Sequence, residues 1–254
     1  MRLVRFTIEG RTDVLTGLAE NQEIHELAGD IFGPYEKTGQ VFSADRVVLQ
    51  PPCTPSKIVA LGLNYRDHAR ELALDLPETP LLFLKASSTV IGPGQAIVYP
   101  RMSRRVDYEA ELAVVIGRQA KNVSRPEAFD YILGYTCLND VTARDLQKKD
   151  GQWTRAKNFD TFCPIGPAIE TDLNPSNLAV EAYLNGEQKQ FSFTNNLVFD
   201  VPALIEFITA VMTLEPGDVI ATGTPAGVGP VQPGDRIEIR VEKIGSLKNF
   251  VVTE

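Results

Sequence analysis

Histidine is nearly missing from this chain: among 254 residues there are only His25 and His68. The three cysteines, Cys53, Cys137 and Cys163, are odd in number and widely spaced. That scarcity argues against a Cys/His zinc site and for free thiols in a reducing compartment, so any metal must rest on oxygen ligands. Positive charge is also short, 25 Lys and Arg against 33 Asp and Glu, for a formal net charge of -8. An acidic surface offers no counter-charge to nucleic acid or to an anionic membrane, so neither is expected as a partner. No apolar run approaches the ~18 residues needed to span a bilayer. The start, Met1 to Arg5, runs into an alternating strand pattern with no apolar targeting core, so a cytoplasmic protein is expected.

What is present is an ordinary globular composition, 43% hydrophobic and 23% charged. Residues 1–50 read as short strands, and the proline-dense stretch Pro51-Pro52-Cys53-Thr54-Pro55 cannot continue a ladder. The expected organisation is a small N-terminal β appendage over 1–54 and one larger domain over 55–254. In the latter, strands are predicted at Lys57–Leu61, Leu81–Leu84, Val106–Gly117 and Gly134–Asn139. A hairpin is predicted around Asn185-Gly186, and a helix over Val201–Met212 capped by Asp200 with Pro202 in its first turn. Asn64–Leu74 also has helix character. Strands outnumber helices, so the fold class is α+β: a mixed β-rich roll with peripheral helices.

The most informative segment is Asp107-Tyr108-Glu109-Ala110-Glu111, which runs into the apolar stretch Leu112–Ile116. Side chains alternate across a strand, so Glu109 and Glu111 share a face, with Cα atoms roughly 6.6 Å apart, and can converge on one cation. A strand end with hydrated acids satisfies the same pattern. Downstream, Asp140 begins a helical turn, with Arg144 and Gln147 on the same face. A carboxylate, a guanidinium and an amide so placed can bind a metal and a carboxylate substrate together; a helix cap beside a surface ion pair is the plainer alternative. His68 and Glu71 stand three apart, so the carboxylate can orient the imidazole, unless the two form only an exposed ion pair. The loop Thr222–Gly229 lacks the Gly-Lys-Ser/Thr of a Walker phosphate loop. It reads as a glycine-rich turn or as a nest of backbone donors.

Six segments in order then carry a resemblance: Gly62–Glu71, Phe83-Leu84-Lys85, Tyr108–Glu111, Asn139–Asp145, Lys157–Thr161 and Thr222–Gly229. Together they resemble the catalytic domain of the fumarylacetoacetate hydrolase family over roughly residues 57 to 252. The resemblance implies the C-terminal-domain fold of that family and an Mg²⁺ or Mn²⁺ held by Glu109, Glu111 and Asp140. It places Lys157 at the metal–substrate centre, with Thr161 framing it and Thr224 docking a substrate carboxylate or carbonyl. It makes His68 and Glu71 a water-activating pair on a lid, leaves Asp107 structural, and implies a homodimer.

The activity expected is C–C bond cleavage, hydrolytic or decarboxylative, of small 2-oxo or 2,4-dioxo carboxylic acids such as acylpyruvates or oxaloacetate. Arg144 and Gln147 would bind the substrate's carboxylate or distal carbonyl, and the cation would serve as Lewis acid for the enolate common to these reactions. Isomerisation of hydroxymuconate-like dienedioates in aromatic catabolism is the chemically adjacent alternative. A non-catalytic protein binding a metal and a 2-oxo acid is the alternative from another class. The segments Leu74–Thr79 and Lys148–Trp153 are expected to set specificity.

Overall fold

The computed structural model describes residues 1–254. The N-terminal strands are β1 (Arg2–Ile8), β2 (Leu15–Glu20), β3 (Glu23–Gly29), β4 (Tyr35–Ser43) and β5 (Val47–Gln50). There follow β6 (Lys57–Gly62), α1 (Arg66–Glu71), β7 (Leu81–Ala86), β8 (Val90–Ile91), β9 (Ala96–Tyr99), β10 (Val106–Tyr108) and β11 (Ala110–Ile116). The middle of the chain holds β12 (Ile132–Asn139), β13 (Thr142–Ala143), α2 (Arg144–Asp150), α3 (Thr154–Lys157) and β14 (Cys163–Glu170). The last part holds β15 (Ala179–Leu184), β16 (Glu187–Phe193), α4 (Val201–Val211), β17 (Val219–Ala221), β18 (Gly229–Val231), β19 (Arg236–Val241) and β20 (Gly245–Thr253).

These strands form the expected α+β, β-rich roll. One sheet runs β4-β3-β2-β1-β14-β12-β11-β17-β6-β7, with β5 on β1 and β8 on β14; a second is β16-β15-β19-β20-β9 and a third β13-β10-β18. The N-terminal strands continue the large sheet through the pairing of Arg2 with Glu170 and Leu3 with Ile169. Beyond Glu111, strand β11 is apolar because both its faces are covered. Leu112, Val114 and Ile116 join the main core, and Ala113 and Val115 join a second core on the opposite face. No helix is long and apolar enough to cross a membrane.

Local chemistry accounts for the elements that were legible in advance. Asn185 and Gly186 both take positive φ, 53° and 86°, as the tight turn between β15 and β16 requires. Asp200 Oδ1 accepts the Ala203 N–H at 3.0 Å and caps α4. Two expectations are corrected. The helix of the lid region is shorter than Asn64–Leu74, because Asn64 spends its side chain on Thr222 and Phe199 and Ala73 leaves the helix at φ 52°. The strand Val106–Gly117 is not continuous: it breaks at Glu109, and its two halves lie in different sheets. At the break, side chains replace ladder partners. The Glu109 N–H donates to Asn139 Oδ1 and the Ala110 N–H to Gln190 Oε1.

Candidate active site

The break at Glu109 brings two carboxylates to a third. Asp140 follows the last residue of β12, and its N–H donates to the Glu109 carbonyl at 2.9 Å. One carboxylate oxygen from each of Glu109, Glu111 and Asp140 belongs to a set whose members all lie within 4.8 Å of one another. All three side chains are buried. Asp140 caps no helix: α2 starts at Arg144 without a side-chain cap. Instead, Lys85 Nζ donates to Asp140 Oδ1 at 2.6 Å, and Lys157 Nζ donates to Asp140 Oδ2 at 2.6 Å and to Glu109 Oε2 at 2.9 Å. Arg144 bonds Glu109 Oε1 and, at 2.9 Å, Asp107 Oδ2; Arg105 takes the other oxygen of Asp107 at 2.9 Å. Asp107 therefore braces Arg144 and stays out of the carboxylate cluster.

Glu111 differs from its neighbours. Its one hydrogen bond is the Gly223 N–H at 2.8 Å, and no cationic side chain reaches it. Burial pushes its carboxyl well up, and the charges of Asp140 and Glu109 push the same way, against the Gly223 donor and the more distant charge of Lys157. Burial opposes ionisation of Glu109 too, but Lys157 and Arg144 outweigh it and hold that carboxyl at about 2. Burial likewise works against the charged Lys157, yet Asp140 and Glu109 raise its pKa. Three like charges so close are stable together only with a cation between them or a proton on one. The donor set is three hard oxygens with neither thiol nor imidazole, which fits Mg²⁺ or Mn²⁺. Glu111, buried and without a salt-bridge partner, completes a donor set that such an ion would suit.

Beside the cluster lies a cavity of about 360 Å³. Its lining includes the polar side chains Glu109, Arg144, Lys157, Gln147 and Thr224 and the apolar side chains Leu72, Leu74, Leu81, Phe83 and Trp153. His68 stands on the wall with Nδ1 3.0 Å from Glu71 Oε2, and the other oxygen of Glu71 accepts the Gly227 N–H at 3.0 Å. A carboxylate acceptor on Nδ1 leaves the lone pair on Nε2. The structure thus brings together His68, Glu71, Glu109, Glu111, Asp140, Arg144, Gln147, Lys157 and Thr224. Thr161 is the exception. Its hydroxyl accepts the Val98 N–H at 2.9 Å, and it is absent from the cavity wall. Leu74 and Trp153, from the two segments expected to set specificity, do line the cavity. Trp153 packs so closely on Gly62 that a Cβ there would meet its ring at 2.8 Å.

Lys85 went unassigned on sequence grounds although it belongs to the Phe83-Leu84-Lys85 segment. It is fully buried. A lysine in an otherwise apolar strand was the available signal, since such a residue must find a counter-charge.

Fold and site together define a β-rich scaffold built around a buried three-carboxylate cluster at the end of a substrate-sized cavity. A family model for the fumarylacetoacetate (FAA) hydrolase C-terminal domain matches residues 57–252, and an Rv2993c-like N-terminal model matches residues 1–52. The chain belongs to the fumarylacetoacetate hydrolase family, whose members are enzymes. It is 42% identical over 215 residues to a mitochondrial oxaloacetate tautomerase of Rattus norvegicus, covering 80% of this chain and 69% of the rat protein. Among solved structures, the 2-hydroxyhepta-2,4-diene-1,7-dioate isomerase of Mycobacterium marinum is 44% identical with a TM-score of 0.92, over 100% of this chain and 99% of that one. The maleylpyruvate hydrolase of Sphingobium sp. SYK-6, solved with manganese(II) and pyruvate, is 32% identical with a TM-score of 0.83 over the same shares.

Proposed function

We propose that the protein is a divalent-cation-dependent enzyme that cleaves a C–C bond, hydrolytically or by decarboxylation, in small 2-oxo or 2,4-dioxo carboxylic acids such as acylpyruvates or oxaloacetate, and releases the leaving carbon as an enolate. One observation carries this reading: beside the buried carboxylate cluster, the polar groups that Lys157, Gln147 and Thr224 leave free toward the cavity are donors, and His68 Nε2 supplies a single base. Lys157 spends two N–H groups on Glu109 and Asp140 and keeps one. Gln147 Oε1 accepts from Arg144 at 2.7 Å, which leaves its amide N–H groups. Thr224 keeps its hydroxyl proton. Such a lining suits a ligand made of carboxylate and carbonyl oxygens. The charges agree: Glu109, Glu111 and Asp140 cancel Lys85, Lys157 and Arg144, so a divalent ion adds two positive charges, the match for a dianion.

Glu109, Glu111 and Asp140 would hold the ion. When bound, it supplies Lewis-acid stabilisation of negative charge on the 2-oxo oxygen. Gln147, Thr224 and the remaining N–H groups of Arg144 orient the carboxylate, and Lys157 donates to the developing enolate oxygen. In hydrolysis His68 Nε2 would take a proton from water as the water oxygen bonds to the distal carbonyl, the C–C bond would break to leave the enolate, and the proton would return to the enolate carbon, with Glu71 stabilising the imidazolium in between. Wild-type turnover of oxaloacetate and acylpyruvates is expected to cease in EDTA and return with Mg²⁺ or Mn²⁺. Turnover indifferent to EDTA, or none across a panel of 2-oxo acids, overturns this assignment.

A second reading, isomerisation or tautomerisation, rests on the relatives: the proteins named tautomerase and isomerase share 42% and 44% identity, the hydrolase 32%. The His68–Glu71 pair serves either outcome. In D₂O, oxaloacetate labelled at C3 without loss of CO₂ marks the second reading, whereas pyruvate formation marks the first.

A further inference from the structure

We infer that Gln190, which lies outside every motif above, is a positioning residue that fixes the Thr224 hydroxyl as a hydrogen-bond donor to a substrate oxygen. This rests on the cavity being the substrate site. Gln190 stands on β16, in a different sheet from Glu111, and is almost fully buried. Its Oε1 accepts the N–H of Ala110, between Glu109 and Glu111, at 2.9 Å. Its Nε2 donates at 2.8 Å both to the Pro225 carbonyl and to Thr224 Oγ1. Backbone groups fix both ends of this amide. A peptide N–H can only donate and a carbonyl can only accept, so the carboxamide cannot be turned over. Because Nε2 has no lone pair to offer, the Thr224 oxygen is the acceptor in that contact. The threonine proton must go elsewhere. No protein group receives it, and Thr224 lines the cavity.

The loop that carries Thr224 is held against β16. Gly227 adopts φ +95° where a Cβ would lie 2.1 Å from the Lys189 carbonyl, and Tyr108 Oη donates to the Gly227 carbonyl at 3.1 Å. The same loop supports Glu111 through Gly223 and Glu71 through Gly227. One amide therefore clamps the carboxylate strand to the loop and sets the direction of one proton. A hydroxyl so committed selects an acceptor, a carboxylate or enolate oxygen.

The test is a double-mutant cycle on the full chain loaded with Mn²⁺, read by calorimetry with oxalate as the probe. Gln190→Glu keeps an acceptor for Ala110 but replaces the donor, so the Thr224 proton turns toward residue 190. Gln190→Glu and Thr224→Val are each expected to weaken oxalate by about tenfold, one hydrogen bond to a charged acceptor. The double variant should be no weaker than Thr224→Val, because both changes remove the same bond. Oxalate affinity unchanged in Gln190→Glu, or losses that multiply, overturns the inference. Gln190→Met separates the two ends of the amide: it releases Ala110 as well, so Mn²⁺ binding, followed by electron paramagnetic resonance, should weaken in Gln190→Met and hold in Gln190→Glu. If the buried glutamate prevents folding, the cycle is run with Gln190→Met at saturating Mn²⁺, where the two oxalate losses should combine to less than their product; losses that multiply overturn the inference. Lack of wild-type turnover with an intact oxalate cycle overturns the enzymatic reading alone.

Discussion

Two buried acids, on adjacent strands of one sheet, show opposite treatment. Asp218 sits at the head of β17 and Glu111 on its neighbour β11, and both are almost fully excluded from solvent. Asp218 is saturated. Its Oδ1 accepts from the Ser56 N–H, the Ser56 hydroxyl and the Lys57 N–H at 2.7–3.1 Å, and its Oδ2 from Lys57 Nζ and the Glu215 N–H. Burial alone would raise its pKa, but the Glu215 donor, Lys57 and Ser56 lower it. Glu111 has the Gly223 N–H and two neighbouring negative charges, and its pKa rises. An acid that builds a fold is satisfied by the fold. An acid left short of donors is set aside for something that arrives later.

Exchanging each acid for its amide should therefore break different things. Glu111→Gln removes a cation ligand, and cation-dependent turnover should fall on the order of a thousandfold or more, the several kcal/mol that Lewis-acid stabilisation supplies. Steady-state rates with saturating Mn²⁺ check this, and Asp218→Asn should leave Mn²⁺ affinity intact. Asp218→Asn should instead cost about 3 kcal/mol of folding stability, as when a buried charge loses its partner. Urea titration measures it. The signs with pH also oppose. The pKa of Asp218 is depressed in the folded state, so its contribution is present above the usual 3.8 and is lost as pH falls through the lower folded value. The pKa of Glu111 is raised, so the chelated protein loses stability as pH climbs above the usual 4.5 toward the folded value. Melting temperatures of chelated wild type should slope down over that window, and those of Glu111→Gln should not. Mn²⁺ at a hundred times its Kd should restore about 2.7 kcal/mol to wild type and to Asp218→Asn, but not to Glu111→Gln.

The same contrast explains what the sequence could tell. The strand Leu112–Ile116 was legible because burial on two faces leaves a continuous apolar run, and the shared face of Glu109 and Glu111 because alternation is a local mark; that Asp140 joins them followed only from the family resemblance. The interruption at Glu109 was not legible. It depends on two amides, Asn139 and Gln190, that lie 30 and 80 residues from the groups they bond. The role of Lys85 is not legible locally, since its partner Asp140 lies 55 residues away. Thr161 was expected at the centre, yet its backbone takes φ 73° and its hydroxyl holds Val98. Within residues 1–50 the pattern marks strands only at Leu3–Ile8, near Val14–Leu18 and at Arg46–Leu49; β4 leaves no such mark because it is exposed along nearly its whole length.

The finest test of the comparison removes one donor and leaves the acid. Lys57→Met deletes the ammonium that bonds Asp218 Oδ2, but the Glu215 N–H still serves that oxygen and three donors still serve the other. The lysine is a quarter exposed, so water can replace part of what is lost. The expected cost is about 1 kcal/mol, well below that of Asp218→Asn, because a saturated acid tolerates losing one of several donors. The acid-induced loss of stability should also shift toward higher pH, since the folded pKa of Asp218 moves back up. Urea midpoints for wild type and Lys57→Met between neutral and acidic pH measure both. A cost equal to that of Asp218→Asn would mean that Asp218 depends on one ion pair, and its difference from Glu111 would then lie in charge pairing alone, not in the number of donors.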